Sequence, residues 1–227
     1  MQIAKTALLA GICATSLSFT AAAADWSGFY AGGQLAYVHS NTDYGDLDDY
    51  YDNENMNALT DDNLSVGAFG GYNWQRGALV YGVELGLNYV DNSDVSNTGQ
   101  PDGSETLTTD INYTGALLGR VGVAVDNAVI FVGVGPAWAD LEFQNNDDGD
   151  RFTDSGTEVG FAIAGGIEAM LTDRLSGRLQ VQYANFGATT YQDTVNTTSN
   201  EDDVEIPTPF SATTSTVSMS VGVAWNF

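Results

Sequence analysis

The sequence predicts an all-β protein, an eight-stranded antiparallel up-and-down transmembrane β-barrel, from three observations. From Trp26 onward, apolar residues alternate with small or polar residues in eight runs of about ten residues. The connections between the runs are short and long in strict alternation. Most acidic residues fall in the long connections, so the strands are nearly free of charge. This pattern predicts strands that cross a membrane and acidic loops at one end of the barrel.

The first 24 residues have the features of a cleaved secretory signal peptide. Residues 1–5 form a short basic start, residues 6–19 an apolar run, and residues 21–24 a small-residue cleavage site. Residues 25–227 then form a single barrel domain. The apolar run is shorter than the roughly 20 residues that a membrane-spanning helix needs, so we expect strands to make any membrane crossing.

Charge and cysteine content narrow the classes of function. When Lys5 leaves with the signal peptide, five arginines remain against 30 acidic residues, and this balance excludes nucleic acid as a partner. The single cysteine, Cys13, lies in the signal peptide, so we expect no disulfide in the mature chain. A lipoprotein anchored at Cys13 is the competing interpretation, but Ile12 stands where a small residue should precede a lipidated cysteine.

Apolar alternation defines each strand in turn. The predicted strands span residues 28–38, 65–75, 79–89, 111–125, 129–141, 157–171, 175–183 and 217–227. The last strand is the clearest, with Val221 on its apolar phase and Ser220 on its polar phase. Phe69 and Phe131 fall on the otherwise small or polar phase of their strands, so the direction in which they face stays open.

The connections orient the barrel. Tight turns are predicted at residues 76–77, 126–127 and 172–174, and long loops at residues 40–64, 90–110, 142–156 and 185–214. Together with their boundary residues, the long loops hold 24 of the 30 acidic residues. We expect short periplasmic turns, long acidic extracellular loops, and both termini on the side of the short turns.

A soluble, lipocalin-like barrel also has eight alternating strands. Its polar phase would face water and would need many charges. Here that phase consists mostly of glycine, alanine, serine, asparagine and glutamine, and the mature chain has no lysine. These residue types suit a crowded interior, and they favour the membrane barrel.

Four charged residues lie on the polar phase of four different predicted strands: Glu84, Arg120, Glu168 and Arg178. An eight-stranded barrel is just wide enough for side chains to fill it, and buried charges must be paired. We therefore predict a lumenal cluster of salt bridges; the alternative is that one or more of the four is solvated at a barrel mouth. Five further residues are predicted to fill the lumen: Tyr30, Gln34, Met170, Gln180 and Gln182.

Three segments, WSGFYAGGQL at 26–35, GYNWQ at 71–75 and VGVAWNF at 221–227, carry a resemblance to a known family. They resemble the small outer-membrane β-barrel surface proteins, which include the opacity-type surface antigens and the OmpA-like barrel domain. The resemblance covers the whole mature chain. It implies a place in the outer membrane of a Gram-negative bacterium, among outer-membrane lipid and lipopolysaccharide. We expect a monomer, and no peptidoglycan-binding domain because the sequence ends at Phe227.

The end of the chain is similar to the recognition signal of the barrel-assembly machinery. That signal has the form polar-x-Gly-x-x-aromatic-x-aromatic. Here Ser220, Gly222, Trp225 and Phe227 occupy its four defined positions. The resemblance implies that the assembly machinery is a partner during biogenesis.

An enzymatic role has little support. Some outer-membrane barrels modify lipid A with a histidine and a serine at the outer leaflet, and His39 beside Ser40 would suit that placement. No neighbouring carboxylate is fixed by a motif, so we predict no catalytic site, no cofactor and no enzyme activity.

Two acidic runs, at 145–150 and 46–49, resemble parts of a calcium loop. Neither has the complete set of oxygen ligands at defined spacing, so we expect solvated acidic surface and no metal site. Loose divalent cations bridging these loops to lipopolysaccharide phosphates are the alternative.

Two functional hypotheses follow from these features. The first is a surface protein with a structural, envelope or surface-interaction role. The second is a narrow porin-like channel for small solutes. Filling of the lumen favours the first, because a plugged eight-stranded interior leaves no continuous water path.

Overall fold

The computed structural model describes residues 24–46, 59–91, 96–98, 105–147, 150–199 and 202–227. These residues form nine strands and no helix: β1 Gly28–Asp46, β2 Leu59–Arg76, β3 Leu79–Asp91, β4 Ser96–Thr98, β5 Glu105–Val125, β6 Ala128–Asp147, β7 Asp150–Met170, β8 Leu175–Ser199 and β9 Asp202–Asn226. No helix capable of spanning a membrane is present in the described parts of the chain.

The eight long strands form one closed antiparallel barrel. Each pairs with its neighbours in sequence, β3 pairs with β5, and β1 pairs with β9 to close the sheet. Leu35 of β1, for example, lies opposite Val66 of β2 and Val221 of β9. The ninth strand, β4, is short and pairs only with the outer part of β5. The predicted up-and-down topology is confirmed.

Three tight turns lie at the end of the barrel that also holds the N-terminus of β1 and the C-terminus of β9, as predicted. Gly77, with φ of 60°, allows the β2–β3 turn, and Asp126, with φ of 52°, allows the β5–β6 turn. In the β7–β8 turn, the backbone N–H of Leu171 donates to the carbonyl oxygen of Leu175 at 2.7 Å. These turns form the periplasmic end.

At the opposite end the strands are longer than predicted. The β6–β7 pairing continues to Asp147 opposite Asp150, and the β8–β9 pairing continues to Ser199 opposite Asp202. The predicted bounds of the loops 142–156 and 185–214 are therefore wrong, because most of their residues extend the strands as hairpin arms. Polar residues occupy both phases there, so the apolar alternation ends while the hydrogen-bonded ladder continues.

The outward face of the barrel carries a band of exposed apolar side chains between two aromatic girdles. At the periplasmic side, Phe29 packs edge-on against Tyr72 at 4.7 Å between ring centroids, and Tyr72 contacts Trp74 at 4.8 Å. At the extracellular side, Tyr89 lies 5.4 Å from Tyr113. Aromatic girdles of this kind mark the two membrane interfaces. The band excludes a soluble barrel, because it would expose this apolar surface to water.

Candidate functional site: a closed lumen

Four charged side chains meet inside the barrel. Glu84 comes from β3, Arg120 from β5, Glu168 from β7 and Arg178 from β8, and all four are buried. Glu168 and Arg178 lie directly opposite each other in the β7–β8 register, whereas Arg120 lies opposite Gly82, two residues before Glu84. Strand alternation points all four inward, so the predicted lumenal residues do come together.

The four charges form a closed ring in which each carboxylate contacts both arginines. The Oε2 atom of Glu84 lies 2.5 Å from Arg120 Nη1 and 2.8 Å from Arg178 Nη1. The Oε2 atom of Glu168 lies 2.9 Å from Arg178 Nη2 and 3.5 Å from Arg120 Nη2. The ring is neutral overall, which is what a low-dielectric interior requires.

Hydroxyl groups complete the ring. The Tyr30 hydroxyl donates to Glu84 Oε2 at 2.7 Å and accepts from Arg120 Nη1 at 2.5 Å. The Ser176 hydroxyl donates to Glu168 Oε1 at 2.6 Å and is fully buried. Tyr30 was predicted to fill the lumen, but its hydrogen bonds were not foreseen, and Ser176 was missed altogether.

Two phenylalanines cover the guanidinium planes. Phe69 and Phe131, whose direction the sequence left open, both point into the lumen and are buried. The guanidinium carbon of Arg178 lies 4.0 Å from the Phe69 ring centroid, and that of Arg120 lies 3.9 Å from the Phe131 ring centroid. Each arginine therefore presents its edge to carboxylates and its face to an aromatic ring. The interrupted polar phase of β2 and β6 was the sequence signal for these rings.

Some polar atoms of this layer lack an aligned partner. Arg120 Nε and Arg178 Nη1 are buried without a hydrogen-bond acceptor in line, so the 2.8 Å contact of Arg178 Nη1 with Glu84 is an ion pair only. Gln180 Oε1 is likewise buried without a donor and borders a cavity of about 10 Å³. Such a cavity has room for about one water molecule, which would satisfy Gln180.

The other predicted lumen-filling residues lie around this layer. Gln34 Nε2 donates to Asn88 Oδ1 at 2.7 Å, and both side chains border the small cavity together with Gln182. Met170 packs against an apolar cluster at the periplasmic mouth.

Apolar clusters of buried side chains lie on both sides of the ring. On the extracellular side, ten buried side chains pack together: Val90, Ile111, Ala116, Leu118, Ala137, Ala139, Ala162, Ala164, Ala184 and Phe186. On the periplasmic side, Trp26 is only 2% exposed and packs against Val80, Val129 and Phe131. The Trp26 backbone N–H donates to Gln75 Oε1 at 2.7 Å, which holds this residue, just ahead of β1, across the mouth.

His39 and Ser40 do not form a common site. Ser40 is buried in the lumen, whereas His39 points outward, because neighbouring residues of a strand face opposite sides. His39 lies two residues beyond the exposed Tyr37 on β1, and its Nδ1 donates to Asp62 Oδ1 at 2.7 Å. The His39 hydrogen bond, followed by one from Tyr37, lowers the pKa of Asp62. His39 and Ser40 therefore lie on opposite faces of β1 and do not contact a common space.

The residues of the expected assembly signal divide between the two faces of β9. Trp225 and Phe227 point outward at the periplasmic girdle, where both are exposed. Gly222 points inward, and a Cβ added there would lie 3.1 Å from the edge of the Phe69 ring. Ser220 lies opposite Ala36 of β1 and Gln180 of β8. Gly222 thus makes room for the ring that covers Arg178.

The acidic runs that resemble calcium loops lie partly beyond the described residues. Residues 47–49 and 148–149 are outside them, and Asn145 to Asp147 and Asp150 belong to the β6–β7 hairpin. Within the described part of the chain, no group of three or more histidine, cysteine or carboxylate side chains could hold a metal ion.

Comparison with known proteins agrees with this architecture. The model of the outer membrane protein β-barrel domain family matches residues 6–227. The chain is 29% identical to a 22 kDa outer membrane protein of Rhizobium leguminosarum bv. viciae, over 74% of this chain and 68% of that protein. It is 26% identical to the 25 kDa outer-membrane immunogenic protein of Brucella abortus, over 79% of this chain and 75% of that protein. Among solved structures, the outer membrane protein OprG of Pseudomonas aeruginosa superposes with a TM-score of 0.57 and 15% identity, over 90% of this chain and 98% of OprG, and this likeness concerns the fold alone.

Proposed function

Because the chain belongs to the outer membrane protein β-barrel domain family, as an integral protein of the Gram-negative outer membrane, we propose that it is a non-enzymatic surface barrel with a structural or surface-interaction role. It conducts no solutes. The periplasmic end and the apolar band on the outward face anchor the barrel in the membrane. The extracellular hairpins are the part that contacts other molecules.

The observation that carries this proposal is the closed ring of Glu84, Arg120, Glu168 and Arg178, with Phe69 and Phe131 on its faces. A channel for small solutes needs a continuous water column through the barrel. The ring spans the lumen and joins four strands, and apolar layers lie on both sides of it. Opening a path would require breaking buried ion pairs, which costs several kcal/mol.

The non-enzymatic part of the proposal rests on the outward surface near the outer girdle. The one histidine of the chain, His39, is paired with Asp62, and the neighbouring serine points into the lumen. A nucleophile must lie within hydrogen-bond reach of its base. Ser40 does not meet that requirement.

The remaining partners in the proposal follow from position on the barrel. Outer-membrane lipid and lipopolysaccharide would cover the apolar band, and the assembly machinery would read the outward Trp225 and Phe227. The Brucella relative is named an immunogenic protein, and the extracellular hairpins are the part of this chain that antibodies would reach. Divalent cations would screen the acidic residues at that end.

Planar-bilayer recording of the refolded full-length mature protein tests the proposal. We expect no steady current from the parent or from Val221→Ala, a control that changes only the lipid face. A double variant Arg120→Ser with Phe131→Ala, which empties part of the ring layer, should conduct more than either. A stable open level of porin size in the parent would refute the closed lumen.

A further inference from the structure

The barrel wall splits between β7 and β8 above the membrane. Their pairing ends at Phe161 opposite Asn185. Beyond this point β7 pairs only with β6, and β8 pairs only with β9 out to Ser199, in the described part of the chain. Among the described residues, 150–158 of β7 and 188–199 of β8 therefore each present a free backbone edge toward the split.

A bulge at the base of the split directs β8 away from β7. The β8–β9 register shifts between Asn185 and Ala188. Gly187 has φ of 78°, and its N–H donates to the side-chain Oδ1 of Asn185 at 3.1 Å. The buried side chain of Phe186 joins the extracellular apolar layer of the lumen, which fixes the bulge to the barrel. This bulge therefore turns β8 away from β7 at residues that lie next to the membrane.

The free edge of β8 lacks the features with which soluble edge strands avoid pairing. Proteins usually protect an edge with lysine, proline or several charges. Residues 188–199 contain no lysine, arginine or proline, one charged residue, Asp193, and five threonines. The β7 edge contains four charged residues and one glycine. On the other arm of the β8–β9 hairpin, Phe210 is the outermost described residue that pairs with β1. Pro207 and Pro209 lie farther out along β9.

We propose that the free edge of β8, residues 188–199, binds an extended basic segment of a partner protein by strand addition. Backbone hydrogen bonds along such an edge supply affinity without a defined sequence. Charge supplies the selection, because Asp193 of β8, Glu158 of β7 at the base of the split, and Asp202, Asp203 and Glu205 of β9 make this end acidic. This inference rests on the proposed surface role and names the class of partner.

The charge of the chain argues against a second copy as the occupant. The formal net charge is −24, so two copies aligned along their acidic hairpins would repel each other. The edge also lies on the extracellular side of Phe161 and Tyr183, whose exposed rings lie 6.3 Å apart, and so out of reach of the lipid chains. An extended cationic segment of a partner protein would be attracted by the acidic hairpins, and it could reach the edge from the extracellular side.

Fluorescence anisotropy with the refolded mature protein in zwitterionic detergent tests the proposal. The probe is a labelled peptide of alternating lysine and threonine. The first control has the same sequence with N-methyl groups on two adjacent central residues, which block both edges of the peptide without changing its charge. The second control replaces lysine by glutamate. We expect the N-methylated peptide to bind at least about tenfold more weakly, and the glutamate peptide not to bind.

Two protein variants locate the site. Glu158→Lys, at the base of the split, should weaken binding of the lysine peptide, whereas Asp173→Lys, an equal change of charge at the exposed periplasmic turn, should leave it unchanged. The proposal is overturned if the lysine peptide does not bind, if N-methylation has no effect, or if the two variants behave alike. Self-association that the peptide cannot compete away would assign the edge to a second copy and overturn it too. All of these outcomes are independent of conductance, so the two proposals fail separately.

Discussion

The guanidinium carbon of Arg178 lies 4.0 Å from the centre of the Phe69 ring, while two of its nitrogens contact Glu168 Oε2 at 2.9 and 3.1 Å. The face and the edge of one planar group are thus used at the same time. A lysine ammonium is a compact charge without this planar fork, so it cannot stack on the ring and keep both contacts with one carboxylate. Arginine is therefore required here for its shape as well as for its charge.

Arg178→Lys should lower the free energy of unfolding although it preserves the charge. The loss combines part of a desolvated cation–π contact with one charge-assisted hydrogen bond, together roughly 2 to 4 kcal/mol. Urea titration of the refolded barrel measures it, with Arg174→Lys at the exposed β7–β8 turn as the matched control. Equal midpoints for the two variants would show that the stacking contributes nothing.

Removing one charge from the ring should be more damaging. Arg120→Leu or Glu168→Leu leaves an uncompensated buried charge, at an expected cost of roughly 3 to 5 kcal/mol. Arg174→Leu changes an exposed charge, which is worth about 0 to 1 kcal/mol. The urea midpoints of the three variants test this. If all three unfold at the same urea concentration, the ring is hydrated rather than buried.

The barrel was predictable from the sequence because each membrane-crossing segment has one lipid-facing phase. That solvent forces apolar residues onto every second position, as from Val217 to Trp225 in β9, and strand number, turns and topology follow. The hairpin arms beyond the girdle were not predictable, because polar residues occupy both of their phases. Threonine and asparagine occur on both phases, as in residues 188–199, so no alternation with a period of two marks the strand.

The lumenal charges were identifiable because a charged residue on the polar phase of a barrel strand has nowhere else to point. Their ring order was not, because it depends on the stagger between strands, which sets Arg120 opposite Gly82 and Glu168 opposite Arg178. The stacking of Phe131 on the Arg120 guanidinium was not predictable for the same reason. Trp26 lies outside any strand, so no periodicity assigned it to the lumen.

The His39–Asp62 pair predicts a pH effect of defined sign. The pKa of Asp62 is lowered in the folded protein, mainly by the His39 hydrogen bond. The stabilisation is therefore complete above the unfolded pKa, which is about 4, and is lost as the pH falls through the folded value. In His39→Ala, Asp62 should titrate at higher pH than in the parent. Carboxyl NMR titration in micelles measures this, and an unchanged Asp62 midpoint would contradict the hydrogen bond. The effect on unfolding should be small, since both side chains are about half exposed.

Deleting Phe227 separates assembly from stability. Its side chain is 78% exposed at the periplasmic girdle, so its loss removes few contacts from the folded barrel. If the assembly machinery reads this residue, the yield in the outer-membrane fraction of cells should fall markedly. The urea midpoint of barrels refolded in detergent should change little. A parallel loss in both measurements would mean that Phe227 acts through stability alone.

The two faces of β9 can be tested at adjacent positions. Val221 points toward lipid and is 55% exposed, and its neighbours across the sheet are Leu35 and Leu179. An arginine there would place a charge in the apolar band, at a cost of roughly 2 to 4 kcal/mol near the bilayer midplane. Ser220 points into the lumen beside Gln180, which borders a cavity with room for only about one water molecule. Ser220→Arg should therefore fail by overfilling the interior and by adding an unpaired positive charge near the ring.

The two variants should therefore fail in different ways, although they place the same side chain one residue apart. The urea midpoint of Val221→Arg should fall more in a thick bilayer than in a thin one, because a thin bilayer brings the charge closer to the interface. Ser220→Arg should be indifferent to thickness, because lipid does not contact it. Urea midpoints in bilayers of short and long acyl chains measure the difference. If Val221→Arg inserts and resists urea like the parent in both, Val221 does not face lipid, and the assignment of β9 to the membrane wall is wrong.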